Sequence, residues 1–356
     1  MRRTPPLIVG GGPAGAAAAI TLARAGVCAT VLERTTEAHD PVCGGFLGWD
    51  AIAALKRLGI DAQALGAKPI THVRVIAGKR QAEALLPHPA AGLSRRTLDM
   101  TLLAEAAKLG VDVRRGVTVR RMEDGQIHLA DGAVLQPESL FLATGKHELR
   151  GAARGSGKRE RVGLRATVPA QPDLAGWIEL HLLDGGYAGL LVQDDGQANL
   201  CLSIASTRLA AAGGSPERLI AMLATEAPHL AARLSRTATH WSAIAAVPYG
   251  WRTRDTVAGR FRVGDQAAVI ASLAGDGIAI ALSSGIAAAD AWIDGGPEAA
   301  PAFQRRFARR AAWPIGAAET LRHASERPAL AAPLLSLVAT LPGSLGLAAR
   351  ITRIGV

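Results

Sequence analysis

The chain has 356 residues, of which 49% are apolar and 20% charged, so it can build a large core and does not belong to the disordered class. Three cysteines are too few for a disulfide scaffold and favour a reducing, cytoplasmic location, and no His or Cys pairs have the spacing of a zinc site. The net charge is +10, but the basic residues come in separated pairs and aromatic residues make up only 4%, which argues against nucleic-acid binding.

The chain begins with a predicted strand, tight loop, helix and second strand. Residues 7–9 are a short apolar run typical of a buried parallel strand. Residues 14–25 form an alanine-rich helix that ends at Gly26, and residues 27–32 form the second strand. This unit has the length of a βαβ motif.

The elements that follow alternate between helices and strands, as in an α/β protein. Helices are predicted at 49–58, 96–109 and 278–292, and strands at 71–76, 81–86, 111–113, 117–119, 127–129, 133–135, 140–143 and 261–263. Three antiparallel strands are predicted at 177–183, 186–192 and 198–204, after a linker rich in glycine and basic residues at 151–161.

These elements predict a discontinuous α/β domain with an inserted domain that contains an antiparallel sheet. The α/β domain is assigned to residues 1–70, 93–150 and 259–300, and the inserted domain to 71–92 and 151–258. Residues 301–356 form a third, helical segment, with eight arginines against two glutamates.

Two uncharged stretches are long enough to be mistaken for membrane spans. Residues 4–23 contain the break Gly10 to Pro13, and residues 328–349 contain Pro333, Pro342 and Gly343. We interpret the first as the strand–loop–helix unit and the second as two short helices around a Pro-Gly turn.

The loop after the first strand carries a dinucleotide-binding pattern: Gly10, Gly12, Pro13, Ala14 and Gly15. Gly10 permits a tight turn, Gly12 lets the backbone approach a pyrophosphate, and Gly15 lets helix and strand pack closely. Glu33, at the end of the second strand, is placed to accept hydrogen bonds from a ribose. An acid there disfavours a 2′-phosphate, so the pattern predicts FAD or NAD. The alternative is a glycine-rich turn without a ligand.

Two further segments favour FAD. The strand at 140–143 ends in the small-residue turn Ala143, Thr144 and Gly145. Residues 263–285 contain a strand end, the acid Asp265 and a glycine loop that opens a helix. In this loop Asp265 suits a ribityl hydroxyl, and the amides near Gly277 and Ile278 suit the flavin edge that gains negative charge on reduction. Asp265 as a simple helix-cap or turn residue is the alternative.

Taken together, these motifs resemble the FAD-dependent oxidoreductases that include aromatic hydroxylases of the p-hydroxybenzoate hydroxylase type and geranylgeranyl reductases. The matching segments are Gly10–Gly15, Glu33–Arg34, Cys43–Gly45, Ser94–Leu103 and Gly264–Gly277. The resemblance implies a Rossmann-like FAD domain of the glutathione-reductase type with an inserted substrate domain. It implies either a monooxygenase that uses a flavin C4a-hydroperoxide on an apolar aromatic or polyketide-like substrate, or a reductase of C=C bonds in a prenyl or lipid substrate.

The resemblance also assigns roles to single residues. Arg34 would lie against the adenine, Val119 would contact it through its backbone, and Arg95 would reach the phosphates or ribityl chain. Around the rest of FAD it implies contacts from these residues: Cys43, Gly44, Gly45, Gly264, Asp265, Gly275, Gly277 and Ile278.

The sequence departs from the hydroxylases of this family at Thr144, where they carry an acid that helps to bind FAD and the reducing nicotinamide. The electron donor is therefore open between NAD(P)H and another source, such as a separate reductase. No metal site is expected, because no group of ligands has a metal-binding spacing.

A substrate pocket is expected around Tyr187, Trp241 and Tyr249, with core packing as the alternative for these aromatic residues. Cys43 is the one weak candidate for a catalytic group; the alternative is a small buried apolar residue. For the pair Lys146 and His147 a solvated turn is favoured over the site. Residues 301–356 either touch a membrane surface or pack their leucines on the FAD domain.

Overall fold

The computed structural model describes residues 4–154, 160–234, 240–254, 256–341 and 343–354, so part of the predicted linker at 151–161 lies outside the described residues. The strands are β1 Leu7–Val9, β2 Thr30–Glu33, β3 Phe46–Leu47, β4 Lys68–Ala77, β5 Arg80–Gly92, β6 Asp112–Arg115, β7 Val119–Glu123, β8 Gln126–Leu129, β9 Val134–Leu135, β10 Leu140–Leu142, β11 Arg161–Pro169, β12 Trp177–Leu183, β13 Gly186–Val192, β14 Gln197–Ala205, β15 Ser242–Ala245 and β16 Arg260–Arg262. The α-helices are α1 Pro13–Arg24, α2 Trp49–Arg57, α3 Arg95–Lys108, α4 Ser206–Ala211, α5 Pro216–Glu226, α6 Pro228–Arg233, α7 Gly277–Gly295, α8 Ala300–Ser325, α9 Pro328–Thr340 and α10 Gly343–Ile351. Four 3₁₀ turns lie at Pro172–Leu174, Gly264–Gln266, Ser272–Ala274 and Gly296–Ala299.

The first sheet is wholly parallel, with the strand order β16-β10-β1-β2-β6. Its central strands β1 and β10 are apolar on both faces, because both faces are covered, whereas the edge strands β6 and β16 carry charged residues. Ile8, Val31 and Phe141 point into the core made with the helices, whereas Leu7 and Leu142 point into a second core under the three-stranded sheet β7-β8-β9. The predicted Rossmann-like layer is therefore confirmed.

The second sheet has eight strands in the order β15-β11-β14-β13-β12-β4-β5-β3. All its pairs are antiparallel except β4 with β12, which run parallel. Alternate residues of β11 and β14, such as Leu164 and Leu200, pack against α5 and α6 on one face. The opposite face looks toward the parallel sheet and carries Tyr187 and Cys201, so it forms one wall of a cavity.

The C-terminal helices close the molecule. The predicted break in 328–349 is confirmed, since α9 ends at Thr340 and α10 begins at Gly343. The stretch Gly277–Ser325 is long and apolar enough to cross a membrane by length and composition, but 67% of its most apolar window is buried inside the protein. This burial is what the core helix of a globular protein shows. The short helices α4, α5 and α6 were not predicted from the sequence.

Candidate functional site

Two cavities lie side by side between the parallel sheet and the eight-stranded sheet. One, of about 430 Å³, runs along the carboxyl ends of β1, β2 and β10, and the other, of about 350 Å³, lies under the inner face of the eight-stranded sheet. Val42, Lys146, Ile244 and Asp265 line both cavities. The two spaces therefore form one elongated site. We call the cavity along the parallel sheet the nucleotide cavity, and the cavity under the eight-stranded sheet the apolar cavity.

The glycine loop after β1 forms the floor of the nucleotide cavity. Gly10 has φ +108°, and a Cβ there would lie 2.3 Å from the Ala143 carbonyl oxygen. A Cβ on Gly15 would lie 2.0 Å from the Gly10 carbonyl oxygen, so helix α1 can pack this closely only with glycine. Above Gly12, by contrast, the nearest atom within 4 Å is Nη2 of Arg95, at 3.4 Å from a Cβ position. That opening is a cradle of the kind that a pyrophosphate occupies.

The beginning of α1 is suited to hold an anion. Its N-cap Gly12 provides no side-chain cap, and the first turn contains no acidic residue. The backbone N–H groups of that turn thus keep their positive partial charge for a ligand. Pro13 and Ala14 in this turn are buried and act through the backbone.

Glu33 ends β2 beside this loop. Its carboxylate accepts hydrogen bonds from the backbone N–H of Gly11 at 2.7 Å and from the N–H and hydroxyl of Thr35 at 2.9 and 2.8 Å. Burial acts to raise the pKa of Glu33, but the hydrogen bonds from Thr35 and Gly11 outweigh it and the pKa is lowered. The group is therefore a fixed, ionised acceptor at the edge of the cavity, as recognition of a ribose requires.

Cations flank the cavity on two sides. Arg95 pairs with Asp99 at 2.7 Å on α3 and lines the nucleotide cavity near Gly12. Arg34 lines the cavity further along, where its Nη2 is 2.8 Å from Nε2 of His147. Val119 lies on the same wall as Arg34. The cavity therefore offers guanidinium groups that can contact a diphosphate, with the charge of Arg95 partly balanced by Asp99.

Lys146 stands at the junction of the two cavities. Its ammonium is 3.6 Å from the Asp265 carboxylate, and 28% of its side chain is exposed. The Asp265 charge raises the pKa of Lys146 despite burial, which acts to lower it. The favoured prediction of a solvated turn was wrong for Lys146, because the turn after β10 points this side chain inward; His147 is exposed and lines the nucleotide cavity.

The second glycine loop forms the other side of the junction. Gly264 has φ +60°, and its N–H donates to the Ser284 hydroxyl at 2.7 Å, which fixes the turn that presents Asp265. Gly275 has φ +75° and a Cβ there would lie 2.9 Å from the Phe46 ring. Helix α7 starts at Gly277 with no side-chain cap, and nothing within 4 Å would meet a Cβ there. Its free N–H groups face the junction, where the ring system of a flavin would end.

The Cys43–Gly45 segment is held against this junction by the eight-stranded sheet. The Asn199 side-chain amide donates to the carbonyl oxygens of Cys43 and Gly44 at 3.0 and 2.8 Å. The same segment lines the apolar cavity next to Gly275 and Gly277. Cys43 therefore lies between the two glycine loops and the substrate-side sheet.

The apolar cavity contains one concentrated polar spot. The Tyr187 hydroxyl donates to Oγ of Ser272 at 2.5 Å, and the Tyr249 hydroxyl lies 2.6 Å from the same oxygen. These are the only two tyrosines in the sequence. Burial raises the pKa of both phenols, so they stay protonated at neutral pH. Burial likewise raises the pKa of the Cys201 thiol on the same wall to about 12.

The rest of the apolar cavity is lined mostly by hydrocarbon, with the charged residues Lys146, Asp265 and Arg353 also on its wall. Its wall is formed by alternate residues of the sheet and by the C-terminal helices, including Val75, Leu180, Leu334 and Val338. Trp241, the third aromatic residue predicted for the pocket, does not line it; the side chain packs against the core on the far face of the sheet.

The structure brings most of the predicted residues to the two cavities. The nucleotide cavity is lined by Gly10, Gly12, Glu33, Arg34, Arg95, Val119, Ala143, Thr144, Gly145 and Asp265. The apolar cavity is lined by Cys43, Gly44, Gly45, Tyr187, Tyr249, Asp265, Gly275, Gly277 and Ile278. Lys146 and Ser272 were missed; Ser272 carries no motif, and only the fold brings it to the tyrosines. Among the described residues, no cluster of three His, Cys, Asp or Glu side chains could hold a metal ion.

Comparison with known proteins agrees with this geometry. Residues 3–148 match the FAD binding domain family. The chain is 26% identical over 316 residues to a menaquinone reductase of Mycolicibacterium smegmatis, which covers 82% of this chain and 76% of that protein. It is 26% identical to the peptidyl tryptophan dihydroxylase QhpG, with a TM-score of 0.69 and coverage of 89% and 74% of the two chains.

Solved structures with lower sequence identity share the fold of this chain. PqsL of Pseudomonas aeruginosa, described as a probable FAD-dependent monooxygenase, is 19% identical and superposes with a TM-score of 0.72 over 94% of this chain and 100% of that chain. At this identity the likeness establishes the shared architecture. It places the two glycine loops of this chain in a fold that such flavoproteins use.

Proposed function

Because the chain is an FAD-dependent oxidoreductase of the superfamily that contains the p-hydroxybenzoate hydroxylase-type enzymes, we propose that it is a monooxygenase of an apolar substrate that carries an oxygenated, aromatic head. The observation that carries this proposal is the mostly apolar cavity, which joins the nucleotide cavity at Lys146 and Asp265 and holds a cluster of hydroxyl groups at Ser272.

The residues present fit FAD. The open space above Gly12 and the uncapped start of α1 suit the pyrophosphate, and Glu33 suits the adenosine ribose. Asp265 and the start of α7 would hold the ribityl chain and the flavin edge. When bound, FAD supplies the two-electron chemistry and the activation of oxygen.

The chain's own residues would bind and orient the substrate. The Tyr249 phenol, kept protonated by burial, can donate a hydrogen bond to a hydroxyl or carbonyl oxygen of the head group, while Tyr187 donates to Ser272 and can accept one from a hydroxyl. The hydrocarbon walls exclude water, which strengthens these hydrogen bonds and protects reactive species from side reactions. The two phenols next to Ser272 would thus fix which ring position faces the flavin.

A reductase of C=C bonds is the second candidate, and a separate observation favours it. A menaquinone reductase is similar to this chain over 316 residues, and an elongated hydrocarbon cavity would also accept a prenyl chain. In that reaction Cys43, which lines the apolar cavity, is a candidate proton donor.

One experiment separates the two reactions. The purified, FAD-loaded protein is chemically reduced and mixed either with oxygen and long-chain alkylphenols, or without oxygen and with a prenylated quinone. A product heavier by one oxygen atom supports the monooxygenase, and a quinone that is still heavier by two hydrogens after air has reoxidised any quinol supports the reductase of C=C bonds. If neither product forms with any of these compounds while the protein binds FAD, both proposals fail.

The electron donor can be tested with the same protein. Thr144 stands where the related hydroxylases carry an acid, and its hydroxyl donates to the His147 carbonyl at 2.9 Å. We expect NADH and NADPH to reduce the bound flavin slowly when each is added alone, so that a separate reductase is the donor. Stopped-flow absorbance of the flavin, with Thr144→Asp beside the natural protein, measures this. Rapid reduction of the natural protein by either nucleotide would contradict it.

A further inference from the structure

The exposed apolar side chains of the C-terminal helices form a surface of their own. Leu341 is 56% exposed and Leu347 62%, and Leu330, Leu337 and Ile351 are also exposed. Isolated exposed leucines are common, but five within 22 residues of a helix pair call for a physical reason.

The spacing puts these leucines on the outer faces of the helices. On α9, Leu330 and Leu337 are seven residues apart and share one helix face, and Leu341 is the exposed C-cap residue that follows the helix. Ala331 and Leu335, on the opposite face, are buried against β4 and β5. We call the outward side of α9 and α10, defined by the five exposed residues, the leucine face.

This face meets the mouth of the apolar cavity. Leu337 is exposed and also lines that cavity, so the cavity reaches the surface beside it. From α10, Ala348 and Ala349 line the cavity, and Gly346 lies against Pro87 of β5, 3.7 Å from a Cβ position. The leucine face is therefore continuous with the hydrocarbon walls inside.

The charged residues of this segment itself have one sign. The sequence from 328 to 354 contains no Asp or Glu, whereas Arg327 and Arg350 are exposed at its two ends. Four further exposed arginines lie earlier in the chain, in the first half of α8: Arg305, Arg306, Arg309 and Arg310. An apolar helical face bordered by arginine is the pattern of a helix that lies in the interface of an anionic bilayer.

We propose that α9 and α10 dock on an anionic lipid bilayer through the leucine face, with the mouth of the apolar cavity turned toward the lipid. The arginines contact the head groups, and the leucines enter the boundary of the acyl chains. A substrate with a hydrocarbon chain then passes from the bilayer to the cavity without crossing water. This proposal is argued from the exposed surface of α9 and α10 and does not depend on which reaction the flavin performs.

The test is co-sedimentation of the full-length, FAD-loaded protein with vesicles of phosphatidylcholine and phosphatidylglycerol in equal parts, and with pure phosphatidylcholine vesicles. Leu341→Ser/Leu347→Ser keeps the net charge, so it separates apolar insertion from attraction by a basic protein. Met222→Ser, an exposed apolar residue on α5, is the matched control. Arg350→Gln tests the charge.

We expect binding to the anionic vesicles, at least tenfold weaker for the double leucine variant and unchanged for Met222→Ser. Arg350→Gln should weaken binding about fivefold, the equivalent of ~1 kcal/mol for one basic residue at the surface. FAD content and the melting temperature should stay unchanged in every variant, which shows that folding is intact.

Three results would overturn the proposal. One is no binding to anionic vesicles at low salt. Another is equal binding of the double leucine variant and the natural protein. The third is a dimer in sedimentation velocity that the double leucine variant dissociates, because the leucine face would then be covered by a second copy of the chain.

Discussion

At the scale of single residues, the absence of a side chain at Gly12 determines whether the nucleotide cavity can accept a diphosphate. The space above its Cα is open except for Nη2 of Arg95. Gly12→Val would fill that space and should abolish retention of FAD through purification, without unfolding the protein. The ratio of flavin absorbance to protein absorbance measures this. Gly316→Val, at an exposed helical position with nothing within 4 Å, is the control; a Gly12→Val protein that stays fully yellow would refute the assignment.

Glu33 should set the contact with the adenosine ribose. Replacing Glu33 with Ala should weaken FAD binding by about 1–3 kcal/mol, the usual loss for a hydrogen bond to a charged group. Because the pKa of Glu33 is lowered in the fold, its contribution is present at neutral pH and is lost only as the pH falls through that lowered value. Fluorescence titration of FAD into apoprotein at several pH values measures both effects. Glu217→Ala is an exposed control, and an affinity equal to that of the natural protein would contradict the role of Glu33.

At the scale of secondary-structure elements, a buried carboxylate joins two strands of the eight-stranded sheet to a helix through ion pairs. Glu179 of β12 is 1% exposed, and its oxygens lie 2.6 Å from Arg74 of β4 and 2.6 Å from Arg233 of α6. Burial acts to raise the pKa of Glu179, but hydrogen bonds from His181, Arg233 and Arg74 outweigh it and hold the pKa well below its usual range.

Glu179→Gln should therefore destabilise the protein by about 1–3 kcal/mol, because Arg74 and Arg233 lose their buried counter-charge and keep only the more exposed Glu83 and Asp173. Because the pKa of Glu179 is lowered in the folded state, this stabilisation is present at neutral pH and disappears as the pH falls toward that lowered pKa. Urea denaturation followed by circular dichroism measures the change. Glu83→Gln removes the other, half-exposed partner of Arg74 and should cost less than about 1 kcal/mol; equal effects of the two variants would contradict this account.

The sequence predicted individual helices and strands well, but it did not predict which side chains from distant segments lie close together in the fold. The β12 and β13 strands were predicted to the residue, because alternation and the Asp184-Gly185 turn are local signals. The glycine loop and Glu33 follow from a motif in which each residue has a steric or polar role. Ser272 could not be predicted, since its role arises only when segments far apart in the chain meet. Lys146 was considered for the site, but its local sequence favoured a solvated turn. Trp241 shows the converse: an aromatic residue near the site in sequence lies on the far face of a sheet.

At the scale of the whole molecule, the C-terminal segment is fastened to the start of α7 by Arg353. Its guanidinium pairs with Asp50 at 3.0 Å and with Asp276, and lies 4.1 Å from the centre of the Trp49 ring. Asp50 and Asp276 are both buried. Arg353 thus compensates two buried carboxylates that belong to α2 and to the flavin-side loop.

Arg353→Met should lower the melting temperature and expose α9 and α10 to proteolysis, because both carboxylates would lose their counter-charge. Differential scanning fluorimetry and limited digestion with subtilisin measure the two effects. Arg350→Met, at an exposed position three residues earlier, is the matched control. Equal melting temperatures and digestion rates for both variants would show that Arg353 does not fasten the segment.

The strand order of the two sheets also constrains how the chain reaches its native state. The parallel sheet places β1 between β2 and β10 and is completed by β16, and the eight-stranded sheet joins β3–β5 to β11–β15. As a nascent chain leaves the ribosome, β1 can pair early with β2 and β4 with β5, but their second partners, β10 and β12, are synthesised much later. Such non-local pairing is slow and leaves open strand edges that invite aggregation. A fragment that stops before β16 would lack an outer strand of the first sheet and helix α7, so we expect such fragments to depend on chaperones and to remain insoluble without them.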